Sequence, residues 1–377
     1  MPVLCPIIDF MIKMLKVTIP IVIVIAVISG ILYIAKMSEN VPVLDLFRPE
    51  KFTIIKNVNI TGKEGENKAW RIKADECWSG RDKNKSVFEN VSYCAIFEDG
   101  YPVVKGLTAR RIIVNSRNKD IEVFRNVDGK GWLTAKIDFN RANNKEDYST
   151  LFADYIRFNP DTEKGIVKDN ILILKEDLTI EAREVSLDLD KNIAIFSGEP
   201  RFRKGGDLMI GKTATSYLDK DQLDISSIEV YQENKMAFAD AGLMDDANRV
   251  LTLKGHVRAV VEKAEEALKK GSIDKISESE TKRSLQEKTV TESDQMVLNF
   301  DNKNFTAQGN VIVTQKGKKA RSDFAEYDED SENIIMTGNV YMERENGWIK
   351  TKKIIVSVKD ETFHAMGDVE TEFMITK

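Results

Sequence analysis

The chain has 377 residues, which exceeds one average domain and allows a sizeable apolar core. Its 56 Lys and Arg residues are nearly balanced by 61 Asp and Glu residues, and a net charge of -5 with interspersed signs argues against nucleic acid as a partner. Cys5, Cys77 and Cys94 are too few for a disulfide framework and lack the CxxC spacing of zinc or redox sites. Cys77 and Cys94 either pair in an oxidising compartment or are two small buried hydrophobic residues.

The first feature along the chain is an uncharged apolar stretch of 19 residues at 17–35, close to the about 20 residues that a helix needs to cross a bilayer. A cleaved signal peptide would have a shorter apolar region ending in small residues, and Tyr33 and Ile34 do not fit that pattern. We therefore expect an uncleaved single-span anchor. Lys13 and Lys16 precede it in a short tail, and the positive-inside rule places that tail in the cytoplasm.

A repeat of 29 residues occupies much of the remaining chain. The copies "FTAQGNVIV", "IIMTGNVYM" and "FHAMGDVET" carry Gly309, Gly338 and Gly367 at intervals of 29, and Gly198 and Gly255 stand in the same frame. Apolar and polar residues alternate within each copy, which predicts a half-buried strand. A second strand and a turn rich in Asp, Asn and Gly precede each copy, so the repeat is a pair of antiparallel strands. The glycine marks either a bulge or close sheet packing, and neither is catalytic.

Two segments interrupt the repeat. Residues 261–290 are rich in Lys, Glu and Ser, and we predict a short helix at 261–270 followed by a charged loop or linker. The second segment, at 129–150, is extra sequence that precedes the regular repeat units. We therefore predict an all-β protein of antiparallel modules after a single N-terminal transmembrane helix. Its predicted parts are a cytoplasmic tail and anchor at 1–37, a β region at 41–260, the linker at 261–290 and a second β region at 291–377.

The sequence contains no recognisable catalytic motif. The two histidines, His256 and His364, lie beside repeat glycines on the polar face and have no HExxH or comparable ligand spacing. The nucleophile-elbow, P-loop and dinucleotide fingerprints are also missing from the sequence. We expect no cofactor, no metal and no enzymatic activity, with both histidines facing solvent.

The repeats resemble a known family. The stretch 305–373 is similar to the OstA-like repeat of the periplasmic lipopolysaccharide transport protein LptA. The apolar anchor followed by "FTIIKNVNITGKEGENKAWRIKAD" resembles LptC, the single-span partner of the lipopolysaccharide export transporter. Together the two similarities cover nearly the whole chain. The chain departs from the family in length, because a typical LptC ends after one jelly roll whereas this chain continues into LptA-like repeats.

This resemblance implies twisted β-jelly-roll modules whose apolar interior holds the acyl chains of lipid A. It implies a single-pass inner-membrane protein with most of the chain in the periplasm, beside the subunits of an ABC transporter. The modules would join an LptA-like bridge protein by edge-strand pairing. The residues that would line the lipid trough are those of the apolar face of the copies: Phe196, Phe202, Leu253, Val257, Phe305, Val311, Val313, Met336, Val340, Met342, Phe363 and Val369.

Two other classes of protein are compatible with parts of this pattern. A membrane-tethered structural or adhesive repeat protein, such as a parallel β-solenoid, would have a packed interior without lipid. A polysaccharide-processing enzyme would need carboxylates clustered in a groove, whereas the alternation places most carboxylates in turns and on the solvent face.

Overall fold

A computed structural model describes residues 51–373 with gaps at 126–132, 139–147, 262–287 and 358–361, and at one or two residues in other turns. All regular secondary structure in these residues is β-strand, which confirms the predicted all-β class. The predicted anchor at 17–35 lies outside the described residues, as does the predicted helix at 261–270 apart from Val261, which ends a strand. The described part of the chain contains no apolar helix of membrane-spanning length.

The chain forms two compact units. The N-terminal unit contains the described residues up to Phe202 together with 215–221, and the C-terminal unit contains 203–214 and the described residues from 222 onward. Strands β12 (Arg201–Lys204) and β14 (Thr213–Tyr217) fall across the limits of the two units. The sequence-based divisions at 41–260, 261–290 and 291–377 remain predictions.

The N-terminal unit is a run of antiparallel strands in which neighbours in sequence mostly pair. Strands β1 to β4 pair in order, and β9 pairs with β10, which pairs with β11. The strands are β1 (Thr53–Glu64), β2 (Asn67–Ser79), β3 (Lys85–Glu98), β4 (Tyr101–Asn115), β5 (Ile121–Phe124), β6 (Leu133–Asp138), β7 (Tyr148–Ala153), β8 (Tyr155–Asn159), β9 (Lys164–Lys175), β10 (Leu178–Asp188) and β11 (Ile193–Ser197).

Between β4 and β9 of this unit, each strand position is filled by two short strands. One half of β4 pairs with β5 and the other half with β6, β5 pairs with β8, β6 pairs with β7, and both β7 and β8 pair with β9. The extra segment that the sequence shows at 129–150 falls in this region, where two short strands take the place of one; we call this feature the split. The ladder between β4 and β6 ends at Thr108, and the ladder between β4 and β5 begins at Arg111. Ala109 and Arg110 therefore face the division between the two short strands.

The C-terminal unit is a regular antiparallel meander. Each strand from β15 to β21 pairs with the strand that follows it, and β22 pairs with both β23 and β24. Strands β17 and β18, on the two sides of the predicted linker, pair directly with each other. The strands are β13 (Asp207–Ile210), β15 (Gln222–Gln232), β16 (Lys235–Asp245), β17 (Val250–Val261), β18 (Thr289–Asn299), β19 (Phe305–Gln315), β20 (Lys318–Asp328), β21 (Asn333–Arg344), β22 (Gly347–Ser357), β23 (Thr362–Met366) and β24 (Glu370–Phe373).

Side-chain hydrogen bonds at the turns explain why the polar clusters end the strands. After β16, the Asp245 carboxylate accepts bonds from the Asn248 backbone N–H at 3.0 Å and from its Nδ2 at 2.8 Å. Asp and Asn favour such turns because their short side chains satisfy nearby backbone groups. The hairpin interpretation of these clusters is confirmed, and every strand pairing described above is antiparallel, unlike the pairing in a parallel solenoid.

The two cysteines of the N-terminal unit do not form a disulfide. In the ladder between β2 and β3, Cys77 lies opposite Phe88 and Cys94 lies opposite Ile72, and both thiols are free. Cys77 lies five positions along β2 from Ile72, the partner of Cys94, which is roughly 16 Å and too far for a disulfide. Burial raises the pKa of Cys94 to about 12, and burial followed by the charge of Glu76 raises the pKa of Cys77 to about 11.

Neighbouring residues on β11 provide a test of the core of the N-terminal unit. Phe196 is fully buried and packs edge-to-face on Phe202, with ring centroids 5.9 Å apart, whereas Ile195 is 42% exposed. We expect Phe196→Ala to lower the free energy of unfolding by about 3–5 kcal/mol, because it removes a ring from a closed core. Ile195→Ala should change it by less than about 1 kcal/mol. Urea denaturation followed by circular dichroism measures both, and equal losses would contradict this assignment of the core face.

Candidate functional site

The feature that relates most closely to the predicted lipid trough is an apolar row that crosses the C-terminal unit. Each member lies directly opposite the next on the neighbouring strand, so all of them share one face of the sheet. We call these residues the central apolar row: Leu253, Met296, Ala307, Ala325, Met336 and Ile354. None of the six is more than 2% exposed.

The row continues beyond its two ends. Gly242 lies opposite Leu253 at one end, and Ala365 on β23 lies opposite Ile354 at the other. Ala365 is only half-buried, because β23 is the last strand described in this ladder. The apolar face is therefore closed in the middle of the unit and opens towards its C-terminal strands.

The predicted lining residues fall into three groups. Seven are fully buried, with at most 2% of their surface exposed: Phe196, Phe202, Leu253, Val257, Val311, Met336 and Val340. Phe305, Val313 and Met342 are half-buried. Val369 is 47% exposed between β23 and β24, and Phe363 lies on β23. The structure brings Leu253 and Met336 together in the central apolar row, while Phe196 and Phe202 belong to the N-terminal unit.

Each strand of the C-terminal unit that carries a repeat glycine has an irregular register at that position. In β21 the register shifts between Thr337 and Val340, where Gly338 has φ +74° and Asn339 has φ +47°. A Cβ placed on Gly338 would lie 2.5 Å from Oδ2 of Asp323 on the preceding strand. The glycine thus combines the two roles that the sequence left open, because it forms a bulge and also admits a close neighbour.

The residue after the repeat glycine is bonded to that close neighbour. Nδ2 of Asn339 donates to Oδ2 of Asp323 at 2.8 Å, and Nδ2 of Asn310 donates to Oδ2 of Asp294 at 2.9 Å. We call these contacts bend pairs. The members of each are 16 residues apart: Asp154 with Asn170, Asp240 with His256, Asp294 with Asn310, Asp323 with Asn339, and Lys352 with Asp368, in which the acidic residue is the second member.

Sequence reasoning missed the bend pairs, although a signal for them existed. Ala153 and Ala239 recur at the heads of the repeat units, and each directly precedes the acidic member of a pair, Asp154 or Asp240. A polar residue 16 positions after each of these Asp residues, and Asp368 16 positions after Lys352, is the pattern that marks the pairs in the sequence. Apolar alternation does not mark the bend pairs, because both members face solvent.

Buried hydroxyl groups complete the bends. Ser293 and Ser322 directly precede acidic members of bend pairs, are at most 5% exposed, and each donates to the backbone carbonyl two residues further along at 3.0 Å. Thr351, which precedes Lys352, donates at 2.7 Å to the carbonyl of Met366. These hydroxyl groups thus have acceptors beside the irregular register, which explains polar residues on an otherwise apolar face.

The histidines occupy the solvent face, as predicted. The His256 side chain is 92% exposed, has φ +45° and takes the Asn position of a bend pair, with its Nδ1 2.7 Å from Oδ2 of Asp240. His364 is also exposed. Within the described residues, no three His, Cys, Asp or Glu side chains group as a metal site.

Comparison with known proteins gives little further guidance. No family model matches the chain, and no curated protein matches it. Among solved structures, LptH, the LptA homologous periplasmic component of the conserved lipopolysaccharide transport device from Pseudomonas aeruginosa, aligns with 52% of this chain and 95% of its own at 11% identity, with a TM-score of 0.20. A likeness at that identity and score carries no argument about function.

Replacing a repeat glycine tests the bend. We expect Gly338→Ala to lower the free energy of unfolding by about 1–3 kcal/mol, because an L-residue at this φ is strained and its Cβ would displace Asp323. Gly206→Ala is the control, since Gly206 lacks a positive φ and has no atom within 4 Å of its added Cβ. Equal urea midpoints for the two variants would contradict the bend as a conformational requirement.

The pair of His256 and Asp240 predicts a pH dependence. The hydrogen bond to Asp240, together with the charges of Asp240 and Asp294, raises the pKa of His256 above its usual 6.5. Because the folded pKa is the higher one, the stabilisation is complete below the unfolded pKa and is lost as the pH rises through the folded value. We expect an NMR titration of the imidazole to give a pKa above 6.5, and Asp240→Asn to lower it. An unchanged pKa in that variant would refute the pairing in solution.

Proposed function

We propose that this chain is a non-enzymatic component of lipopolysaccharide export. It would receive lipid from an inner-membrane ABC transporter and pass it along a hydrophobic β-jelly-roll trough towards the outer membrane. The observation that carries this proposal is the central apolar row, which crosses six neighbouring strands without a polar interruption and continues to the half-buried Ala365.

The chemistry of the row suits an acyl chain. An acyl chain gains about 0.8 kcal/mol for each methylene group that leaves water, provided that the surrounding surface is apolar and dry. The row offers only aliphatic and thioether side chains, and Phe305, Val313 and Met342 extend the apolar face where it is less tightly closed. Loading would begin at these half-buried positions and not at fully closed ones such as Leu253.

The two end regions of the described chain support edge-strand pairing with an LptA-like bridge protein. Among the described strands, β1 pairs only with β2, and β24 pairs only with β22. Both regions expose large apolar residues, namely Phe52, Ile54 and Ile55 near β1, and Met366, Val369 and Phe373 near β24. An edge strand offers unpaired backbone groups to an added strand, and exposed apolar side chains add contact area to such an interface.

The remaining parts of the proposal rest on the sequence. The apolar stretch at 17–35 would anchor the chain in the inner membrane as a single span, with the N-terminus in the cytoplasm and most of the chain in the periplasm. Energy for transport would come from ATP hydrolysis by the partner transporter, since the sequence has no nucleotide-binding fingerprint.

A specific observation favours a second candidate, a membrane-tethered structural scaffold. The six members of the central apolar row are at most 2% exposed, as expected for a packed core without ligand. The two candidates differ in a measurable way. A conduit requires a lipid to reach the half-buried end of this face, whereas a scaffold excludes lipid from every apolar position.

Photocrosslinking distinguishes the two candidates on strand β21. A benzophenone side chain at Met342, which is half-buried on the apolar face, is compared with the same group at the adjacent exposed Glu343. We expect purified full-length protein in detergent to capture purified lipopolysaccharide at Met342 and not at Glu343, because consecutive residues of a strand face opposite sides. The same benzophenone group at Phe305, a second half-buried apolar position, repeats the test in case the Met342 variant misfolds locally.

The pattern of crosslinking decides between the conduit and the scaffold. Capture at both Met342 and Phe305, with little at Glu343, supports the conduit and fixes which face is loaded. No capture at either apolar position in protein with native circular dichroism, or equal capture at Glu343, would overturn lipid transport and favour the scaffold.

A further inference from the structure

The split in the N-terminal unit gathers charged residues on three neighbouring strands. Arg110 lies on β4 where its partner strand changes, and Arg125 directly follows β5. Asp154 lies between the end of β7 and the start of β8. Arg110, Arg111, Phe124, Arg125 and Asp154 line one cleft of about 270 Å³ at this point.

A second cleft adjoins the first through Arg110 and Arg111. It has a volume of about 550 Å³, and polar residues line it: Lys51, Lys56, Asn57, Asp75, Glu76, Glu89, Asn90, Arg110 and Arg111. The strand registers explain this composition, because Lys56, Glu76, Glu89 and Arg111 lie opposite one another in turn on β1 to β4.

Each carboxylate in the two clefts already has a donor. Glu89 accepts both bonds of a forked contact from Nε of Arg111, at 3.0 and 3.1 Å, and Glu76 accepts from Lys51. Asp154, a member of a bend pair, accepts from Arg125 at 3.0 Å and from Asn170 at 2.8 Å. Asp75 accepts from Asn90 at 3.0 Å.

Two cations in the clefts have no such partner. Among the described residues, neither the Arg110 nor the Lys56 side chain has a hydrogen-bonding or ion-pair partner, and both side chains are exposed. The side chains that line the two clefts comprise five cations and four carboxylates, a net charge of +1, and each of these carboxylates already accepts a hydrogen bond from another side chain. The shared wall of the clefts at Arg110 and Arg111 is where an added anion would interact most favourably.

We propose that these adjoining clefts bind a phosphate group through the guanidinium of Arg110, with the ammonium group of Lys56 as the second cation whose side chain has no partner. A guanidinium presents a planar fork of donors that matches two phosphate oxygens, and a phosphate monoester carries close to two negative charges at neutral pH. Phe124 is half-buried, and its ring packs on Tyr155 with centroids 5.2 Å apart, which gives the organic part of the ligand an apolar wall.

The phosphate can come from two sources. It can belong to the phosphorylated sugar headgroup of a lipid, an assignment that rests on the proposed transport function, or to a soluble phosphate ester. The recognition chemistry is the same in both cases. Because acyl chains would occupy the apolar face of the β strands and the clefts are polar, the two kinds of contact can be tested separately.

Isothermal titration calorimetry of the full-length protein in detergent tests the site, with inorganic phosphate as the first probe. We expect Arg110→Gln to weaken phosphate binding about tenfold or more, because a charge-assisted hydrogen bond is lost. Arg321→Gln is the matched control, since Arg321 is also an exposed strand arginine without a partner among the described residues, and it should leave binding unchanged. Circular dichroism checks that both variants are folded.

Purified lipopolysaccharide and the same material with its phosphates removed form the second arm. If the headgroup is the ligand, removal of the phosphates and Arg110→Gln should weaken binding to a similar extent. If only inorganic phosphate responds to Arg110→Gln, the site takes soluble phosphate esters and stands even where crosslinking has rejected lipid transport. The proposal fails if wild-type protein binds no phosphate in either form, or if Arg321→Gln weakens binding as much as Arg110→Gln.

Discussion

The bend pair is the interaction on which the repeat architecture depends. A strand of 11 or 12 residues that carries an apolar face along its whole length must change direction without exposing that face. In β19 and β21 the change occurs at two consecutive residues of positive φ, and a carboxylate of the preceding strand fills the space that a side chain on the glycine would need. The amide of the next residue then bonds to that carboxylate, so each bend is fixed by its neighbour.

The apolar face depends on this repeated bend. Because the extra residue falls at the same place in the alternate strands β17, β19 and β21, inward residues remain opposite inward residues both before and after it. The central apolar row lies on one side of the bends, while Val313, Ala320, Met342 and Ile349 form a second series on the other. A bend displaced by one residue in a single strand would turn half of that strand's apolar side chains towards water.

The sequence predicted the strands because alternation and turn chemistry are local signals. The alternation of Phe305, Ala307, Val311 and Val313 and the Asp- and Asn-rich turns required no knowledge of neighbouring strands. The bend pairs and the split at Arg110 depend on contacts between residues that are distant in sequence, so one-dimensional periodicity does not contain them. Periodicity also fails to predict the exposure of Val369. That exposure depends on how β23 and β24 pair with β22.

The closed central row places a physical condition on any role as a conduit. An acyl chain that enters between packed aliphatic side chains replaces existing dispersion contacts with similar ones, so the net gain at fully closed positions is small. The larger gain comes where apolar surface is still in contact with water, at the half-buried Met342 and Phe305 and at the exposed residues near β24. Affinity for an amphiphile would therefore be concentrated towards the C-terminal edge of the repeats. The same exposed edge is where an added strand would bind, so lipid and a partner strand would share one apolar surface, and contact with either would reduce the area that the other can bury.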